Sequence, residues 1–164
     1  TPLYSSAASD VYKRQVMIRH ATESDIENIL KLGKELHNES PVFNVYKWND
    51  EKAKRFVSEL VADKYQCGIL AYDGDELVGM VLGCIESHYF SNDCSLLEYF
   101  IYIQEDRRGS MLGYRLIKEW LRWGSKHNVK DVWLDYTTGI GSGKTTNFFK
   151  KLGFKSMGTV LRRD

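Results

Sequence analysis

Three apolar runs follow one another through the middle of the chain: CGILAYD (residues 67–73), LVGMVLGCIESHYF (77–90) and CSLLEYFIYIQ (94–104). They are rich in Ile, Leu, Val, Tyr and Phe and are bounded by Gly, Asp, Asn and Ser, which is the composition of buried strands. Only GDE separates the first two, so they form a hairpin on a glycine-bearing turn. The third is a further strong strand. Whatever else the chain does, it must cover the faces of that sheet.

The flanking segments supply the cover. VMIRHA reads as a short strand, and Thr22 or Ser24 can cap a helix through DIENILKLGKELH, with Ile26, Ile29, Leu30, Gly33 and Leu36 on one face. Pro41 closes that region, and VFNVYKWN reads as an aromatic loop. Asp50 opens a second helix with the stripe Ala53, Phe56, Val57, Leu60 and Val61. After the third strand, EDRRGSMLG leads into a long helix from about Ser110 to Lys126, with Leu112, Leu116, Ile117, Trp120, Leu121 and Gly124 inward. DVWLDY is a strand, GSGKTTNFFKKL a turn and helix, and FKSMGTVLR a final strand. The order β-α-α-β-β-β-α-β-α-β, without internal repeats or a linker after Met17, predicts one mixed α/β domain over residues 17–164.

Residues 1–16 are set apart. They are polar, lack the apolar core of a secretory signal and resemble translated sequencing-adapter sequence. They are expected to be a non-native or disordered leader, with Met17 the native start. The 164 residues are 43% hydrophobic, with 10 Tyr, 7 Phe and 4 Trp, which suits a folded core. A net charge of +1 favours neither nucleic acid nor a membrane surface, and no apolar run is long enough to span a bilayer. Cys67, Cys84 and Cys94 have no CxxC spacing and read as reduced thiols of a cytoplasmic protein. The histidines His20, His37 and His127 lie apart, so no metal is expected.

Two glycine-bearing turns could hold phosphate. TTGIGSGKTT (137–146) approaches the pattern G-x-x-x-x-G-K-[ST], but Thr138 stands where its first glycine belongs. Only 18 residues follow Thr146, with one strand-like run and a sole Asp at the last position, Asp164. A P-loop fold needs most of its sheet and a Mg²⁺-holding Asp after the loop. This turn is therefore read as a flexible connection capped near Thr145 or Thr146. The other turn, RRGSMLGYRLIKEW, opens the longest helix. Unpaired N–H groups and partial positive charge at a helix start suit a pyrophosphate, and Arg107 and Arg108 add charge there.

From Met17 onward the chain resembles the GNAT N-acetyltransferase superfamily. At the place of that family's acyl-CoA signature [QR]-x-x-G-x-[GA], the chain reads Arg108-Gly109-Ser110-Met111-Leu112-Gly113. IYIQEDR resembles the strand and acidic turn before the signature, FFKKLGF the family's FYxxxGF, and MIRHATESDIENILKL its first strand and helix. The resemblance implies a central mixed sheet of six to seven strands flanked by about four helices, with two splayed parallel central strands. It implies acetyl-CoA as cosubstrate, its pantetheine arm along the main chain of Ile101, Tyr102 and Ile103. The pyrophosphate is expected on Arg108, Gly109, Ser110, Met111, Leu112 and Gly113. Two departures stand out. Met111 replaces the central glycine, so its side chain must point away from the ligand. Phe149 stands where the family often has a catalytic Tyr, and phenylalanine donates no proton.

The implied reaction is acetyl transfer from a thioester to a primary amine of a small molecule or peptide. The amine must lose a proton to attack, and Glu98, on the central strand among aromatics, is the expected base. A strand N–H near Ile103 would meet the oxyanion. Tyr102, Tyr114 and Tyr136 are alternatives to the missing Tyr. The resemblance places the acceptor among Phe43, Tyr46, Trp48, Glu86, His88, Tyr89 and Phe90, and allows a homodimer. A GNAT-like module that binds acyl-CoA without turnover is the competing reading.

Overall fold

The computed structural model describes residues 16–163. The expectation for residues 1–16 lies outside them, except at Val16. Strands β1 (Met17–His20), β2 (Gln66–Asp73), β3 (Glu76–Ser87), β4 (Cys94–Ile103) and β5 (Asp131–Trp133) form one sheet in chain order. The first four pair antiparallel, and β5 joins β4 in parallel. The β2–β3 hairpin turns on Gly74 and Asp75, and Gly74 takes φ +61°, as a tight hairpin requires.

Helices α1 (Ile26–Glu39) and α2 (Asp50–Ala62) cover one face of the sheet. Ile29, Leu32, Leu36, Val57 and Leu60 pack there on Leu70, Met80, Leu82 and Tyr102. Helices α3 (Leu112–Ser125) and α4 (Ser142–Lys151) lie on the other face. Leu116, Ile117 and Trp120 of α3 are at most 1% exposed against Ile69, Val78, Val81 and Leu96. Each such side chain contributes roughly 1.5–3 kcal/mol by leaving water. Gly83 lets α3 approach closely: a Cβ there would lie 2.7 Å from Trp120 Nε1 and 2.5 Å from the Leu97 carbonyl oxygen.

A buried carboxylate ties β1, β2 and the start of α1 together. Asp25, 2% exposed, accepts from both Arg19 terminal nitrogens (2.7 Å each), the Tyr72 hydroxyl (2.7 Å) and the Thr22 N–H (2.8 Å). The Arg19 guanidinium holds its carboxyl far below the usual carboxylate range.

Two sequence expectations are corrected. Among the described residues the sheet has five strands, not six or seven. The expected final strand FKSMGTVLR forms no ladder, and Met157, Val160 and Leu161 are 75%, 68% and 88% exposed. The strand expected over DVWLDY stops at Trp133, so the sheet edge is short.

Candidate active site

β4 and β5 part company early. Their ladder runs only from Ser95↔Asp131 through Leu96↔Val132 to Leu97↔Trp133. Beyond it β4 continues for six residues with no strand on that side among the described residues. The fork coincides with a bulge: Leu82 faces Phe100 and Gly83 faces Glu98, which leaves Tyr99 as the extra residue. A bulge bends its strand and sharpens its twist, which carries the end of β4 away from β5.

The main chain past the fork alternates sides. The Gln104 N–H donates to Val78 O on β3 at 3.0 Å, so Tyr102 also faces β3, and Ile101 and Ile103 face the opening. Ile101 therefore offers both its N–H and its C=O to the cleft. The Ile103 carbonyl already accepts from Arg108 Nε at 2.9 Å. Tyr102 contributes no free main-chain group, and its side chain lies on the α1 face, where its hydroxyl donates to Glu39 at 2.7 Å.

The turn after β4 carries the candidate phosphate donors. Helix α3 begins at Leu112, two residues later than expected. Among the described residues, the N–H groups of Gly109, Ser110 and Met111 have no protein partner. The Leu112 N–H is less available, being 3.3 Å from Ser110 Oγ, which itself donates to the Arg107 carbonyl. Gly109 has φ +76°, a left-handed geometry that favours glycine. Gly113 sits where a Cβ would press on Ile103 and Phe148 at 3.3 Å, so it lets α3 close on β4 and α4. Met111 is 65% exposed.

Both arginines of the turn are engaged by carboxylates. Arg108 makes a bidentate pair with Glu39 (2.6 and 2.7 Å) and lies over the Tyr102 ring. Arg107 pairs with Asp73 at 2.7 Å. The anion-binding capacity of the turn therefore rests on its amides and the helix end. Behind Tyr102 lies a recess of about 740 Å³ lined by Glu35, Glu39, Glu76, Glu105 and Asp106. Its carboxylates make that side of β4 unfavourable for an anion.

Glu98 stands at the fork. It is half-buried, and its Oε1 accepts the Asp135 N–H at 3.0 Å across the gap. Burial pushes its carboxyl up to about 7; the Asp135 N–H pulls the other way, and the Asp135 charge adds to the rise. It lines a small cavity of about 30 Å³ with Phe43, Ile101, Tyr136 and Phe149. Phe149 is 8% exposed and packs on Phe148, Phe154 and Tyr136. The Tyr136 hydroxyl is buried without a partner.

The loop between α1 and α2 closes the cleft from above. Ser40 Oγ donates to Thr138 O at 2.6 Å, and Gly139, with φ +72°, lies against Pro41 and Val42. Of the residues expected at the acceptor, Phe43 alone lines the cavity with Glu98. Tyr46, Tyr89 and Phe90 are exposed, Trp48 donates to Asp50, His88 is bonded to Ser95, and Glu86 accepts from Cys84. Glu39, the Tyr99 bulge and the Ser40 anchor were not singled out by the sequence, because each acquires its role through a partner distant in the chain.

The second glycine-rich turn leads into α4 after a three-residue strand, and Thr145 Oγ1 donates to its own loop at Gly141 O (3.1 Å). No strand follows it among the described residues. Among the described residues there is no cluster of three His, Cys, Asp or Glu able to hold a metal, and no helix long and apolar enough to cross a membrane.

The family model for the acetyltransferase (GNAT) family matches residues 27–154. No curated protein sequence matches the chain. Among solved structures, the aminoglycoside N-acetyltransferase AAC(6')-Iy in complex with CoA is 16% identical, covers 92% of this chain and 95% of its own, and superposes with a TM-score of 0.76. A transcriptional regulator from Bacillus halodurans is 19% identical over 92% and 99% of the two chains, with a TM-score of 0.75. An aminoglycoside 6'-N-acetyltransferase from Acinetobacter haemolyticus is 18% identical over 90% and 97%, with a TM-score of 0.71. At these identities the likeness is one of fold.

Proposed function

Because the chain belongs to the acetyltransferase (GNAT) family, we propose that residues 17–164 are one N-acetyltransferase domain that moves an acetyl group from acetyl-CoA to a primary amine in a ternary complex. The observation that carries this reading is the fork itself: an open β4 edge at Ile101, a half-buried carboxyl at Glu98, and unpaired amides from Gly109 to Met111. These groups fit an extended arm with amide groups at one end and a diphosphate at the other. Bound acetyl-CoA would supply the activated acetyl group.

The chain's own residues divide the remaining work. The Ile101 main chain pairs with the arm, as a strand pairs with an edge. Gly109, Ser110 and Met111 hold the phosphates through their N–H groups. Glu98, with its carboxyl poised near neutral pH, takes the proton that the attacking amine must lose. The acceptor is a small-molecule or peptide amine. Aminoglycosides head the candidates, because two of the similar folds are aminoglycoside acetyltransferases.

The test is release of free thiol from acetyl-CoA with a panel of aminoglycosides, polyamines, amino acids and peptides. Thermal protection by CoA is measured in parallel. Amine-dependent thiol release supports the reading. Protection by CoA with no release for any amine replaces it with a binding module, and protection by ATP alone overturns both.

A further inference from the structure

The cavity at Glu98 is walled by four parts of the chain. β4 contributes residues 98–101, the segment after β5 residues 134–138, α4 Phe149, and the loop between α1 and α2 Phe43. Glu98 and Ile101 line it together, so an arm paired with the Ile101 main chain ends in this space. Its volume is about 30 Å³. That is close to one water molecule's share of the liquid.

Phe43 is the part of that wall held most deliberately. Ser40, fully buried, donates its hydroxyl to the Thr138 carbonyl on the opposite wall at 2.6 Å and accepts the Phe43 N–H at 3.1 Å. The Phe43 carbonyl in turn accepts the Tyr46 N–H at 3.0 Å, and the Ser40 carbonyl accepts the Asn44 N–H at 3.0 Å. The Phe43 ring meets Phe100 of β4 edge-on, with centroids 6.1 Å apart. The main chain of Phe43 is therefore fixed on both sides and its ring rests on β4. Moving it would break the Ser40 clasp and leave buried polar groups unpaired, which is costly. The clasp joins the two sides of the fork next to the candidate base, so it fixes the size of the space between them.

We propose that Phe43 is a specificity-determining residue that limits the transferred acyl group to acetyl, and that Ser40 is the positioning residue that holds it there; this rests on the acetyl-transfer reading above. The space beside Glu98 must take the end of the acyl group and also admit the attacking nitrogen. Nothing is left for added methylenes. Each one has to displace a fixed ring or stay outside the cavity, which costs about tenfold or more in affinity.

The experiment measures dissociation constants of CoA, acetyl-CoA, propionyl-CoA and butyryl-CoA by calorimetry, with no acceptor amine present. Wild type is compared with Phe43→Ala, Phe43→Leu and Ser40→Ala, each checked for folding by thermal unfolding. Wild type should bind butyryl-CoA about tenfold or more weaker than acetyl-CoA. Phe43→Ala should bring the two within about threefold, while its affinity for CoA itself changes less than about threefold. Phe43→Leu keeps part of the bulk, should fall between, and carries the test if Phe43→Ala does not fold. Ser40→Ala leaves the ring but frees it, and should narrow the same ratio; a merely structural role would weaken all four ligands alike and leave the ratio unchanged. Equal binding of acetyl-CoA and butyryl-CoA by wild type, or a wild-type ratio in the Phe43 variants, overturns the Phe43 assignment. An unchanged ratio in Ser40→Ala alone overturns the role of Ser40. Binding of none of the four ligands by wild type overturns instead the acetyl-transfer reading on which the size limit depends.

Discussion

Replacing Glu98 by glutamine removes an ionisable group that the fold keeps against its preference for water. The carboxyl is raised from an ordinary 4.5 to about 7, chiefly by burial. The folded state therefore holds the proton more tightly than the unfolded chain, and stability falls as pH rises from about 4.5 through about 7. A rise of ~2.5 units at ~1.4 kcal/mol each sets a ceiling of ~3.5 kcal/mol. Solvent reaches the half-buried side chain, which reduces the expected penalty to ~1–2 kcal/mol. Glutamine retains an oxygen for the Asp135 N–H, so the hydrogen bond across the fork survives. Glu98→Gln should match wild type near pH 4 and exceed it by ~1–2 kcal/mol near pH 8, or roughly 2–8 °C in Tm. Urea or thermal unfolding across that range reads the difference. Curves for the two proteins that stay parallel from acid to alkaline pH would refute the argument, because they would show that Glu98 titrates alike in both states.

Wild-type kcat/KM should show an acid limb near pH 7, and the same variant should lose it with a rate fall of about a hundredfold; a retained limb assigns the base elsewhere. Asp25→Ala strands Arg19, the Tyr72 hydroxyl and the Thr22 N–H, and should cost about 3 kcal/mol in urea unfolding. Since the Asp25 carboxyl is held far below its usual range, its stabilisation is full above the ordinary carboxylate pKa and lost as pH falls below it, so the variant's deficit should shrink in acid. Gly83→Ala drives a methyl into the Leu97 carbonyl and Trp120 and should cost ~1–3 kcal/mol, whereas Gly143→Ala, in α4 with nothing within 4 Å, should stabilise by ~0.5 kcal/mol in the same assay.

Helical periodicity was easy to read because its cause is local. Ile29, Leu36, Val57, Leu60, Leu116, Ile117 and Trp120 all face the core as their spacing predicts, and Leu32 is buried there beside Gly33, the residue that the spacing puts on that face. The third strand was legible in extent but not in phase, since alternation cannot reveal a bulge. Tyr99 and Phe100 both face α2, touching Phe56 in successive positions. The tail FKSMGTVLR has strand composition, yet a strand needs a partner, and β5 ends before it can provide one. Arg107 and Arg108 looked free because their carboxylates, Asp73 and Glu39, lie 34 and 69 residues away.

The extra residue at Tyr99 also accounts for how one strand serves two purposes. Before it, Leu96 packs toward α3; after it, Ile101 and Ile103 do so while Phe100 and Tyr102 turn to α1 and α2. An unbroken alternation would have put Phe100 and Tyr102 on the α3 side with Leu96, because a one-residue shift exchanges the faces of every later side chain. Tyr102 would then lose Glu39, and Arg108, which is held by that same carboxylate, would lose its seat beside the Ile103 carbonyl. The bulge thus places Glu98 at the fork, turns the Ile101 main chain to the opening, and keeps the aromatic side of β4 packed behind it. Chemistry at the fork and anchoring behind the strand depend on the same irregularity, so the site cannot be regularised without dismantling its support.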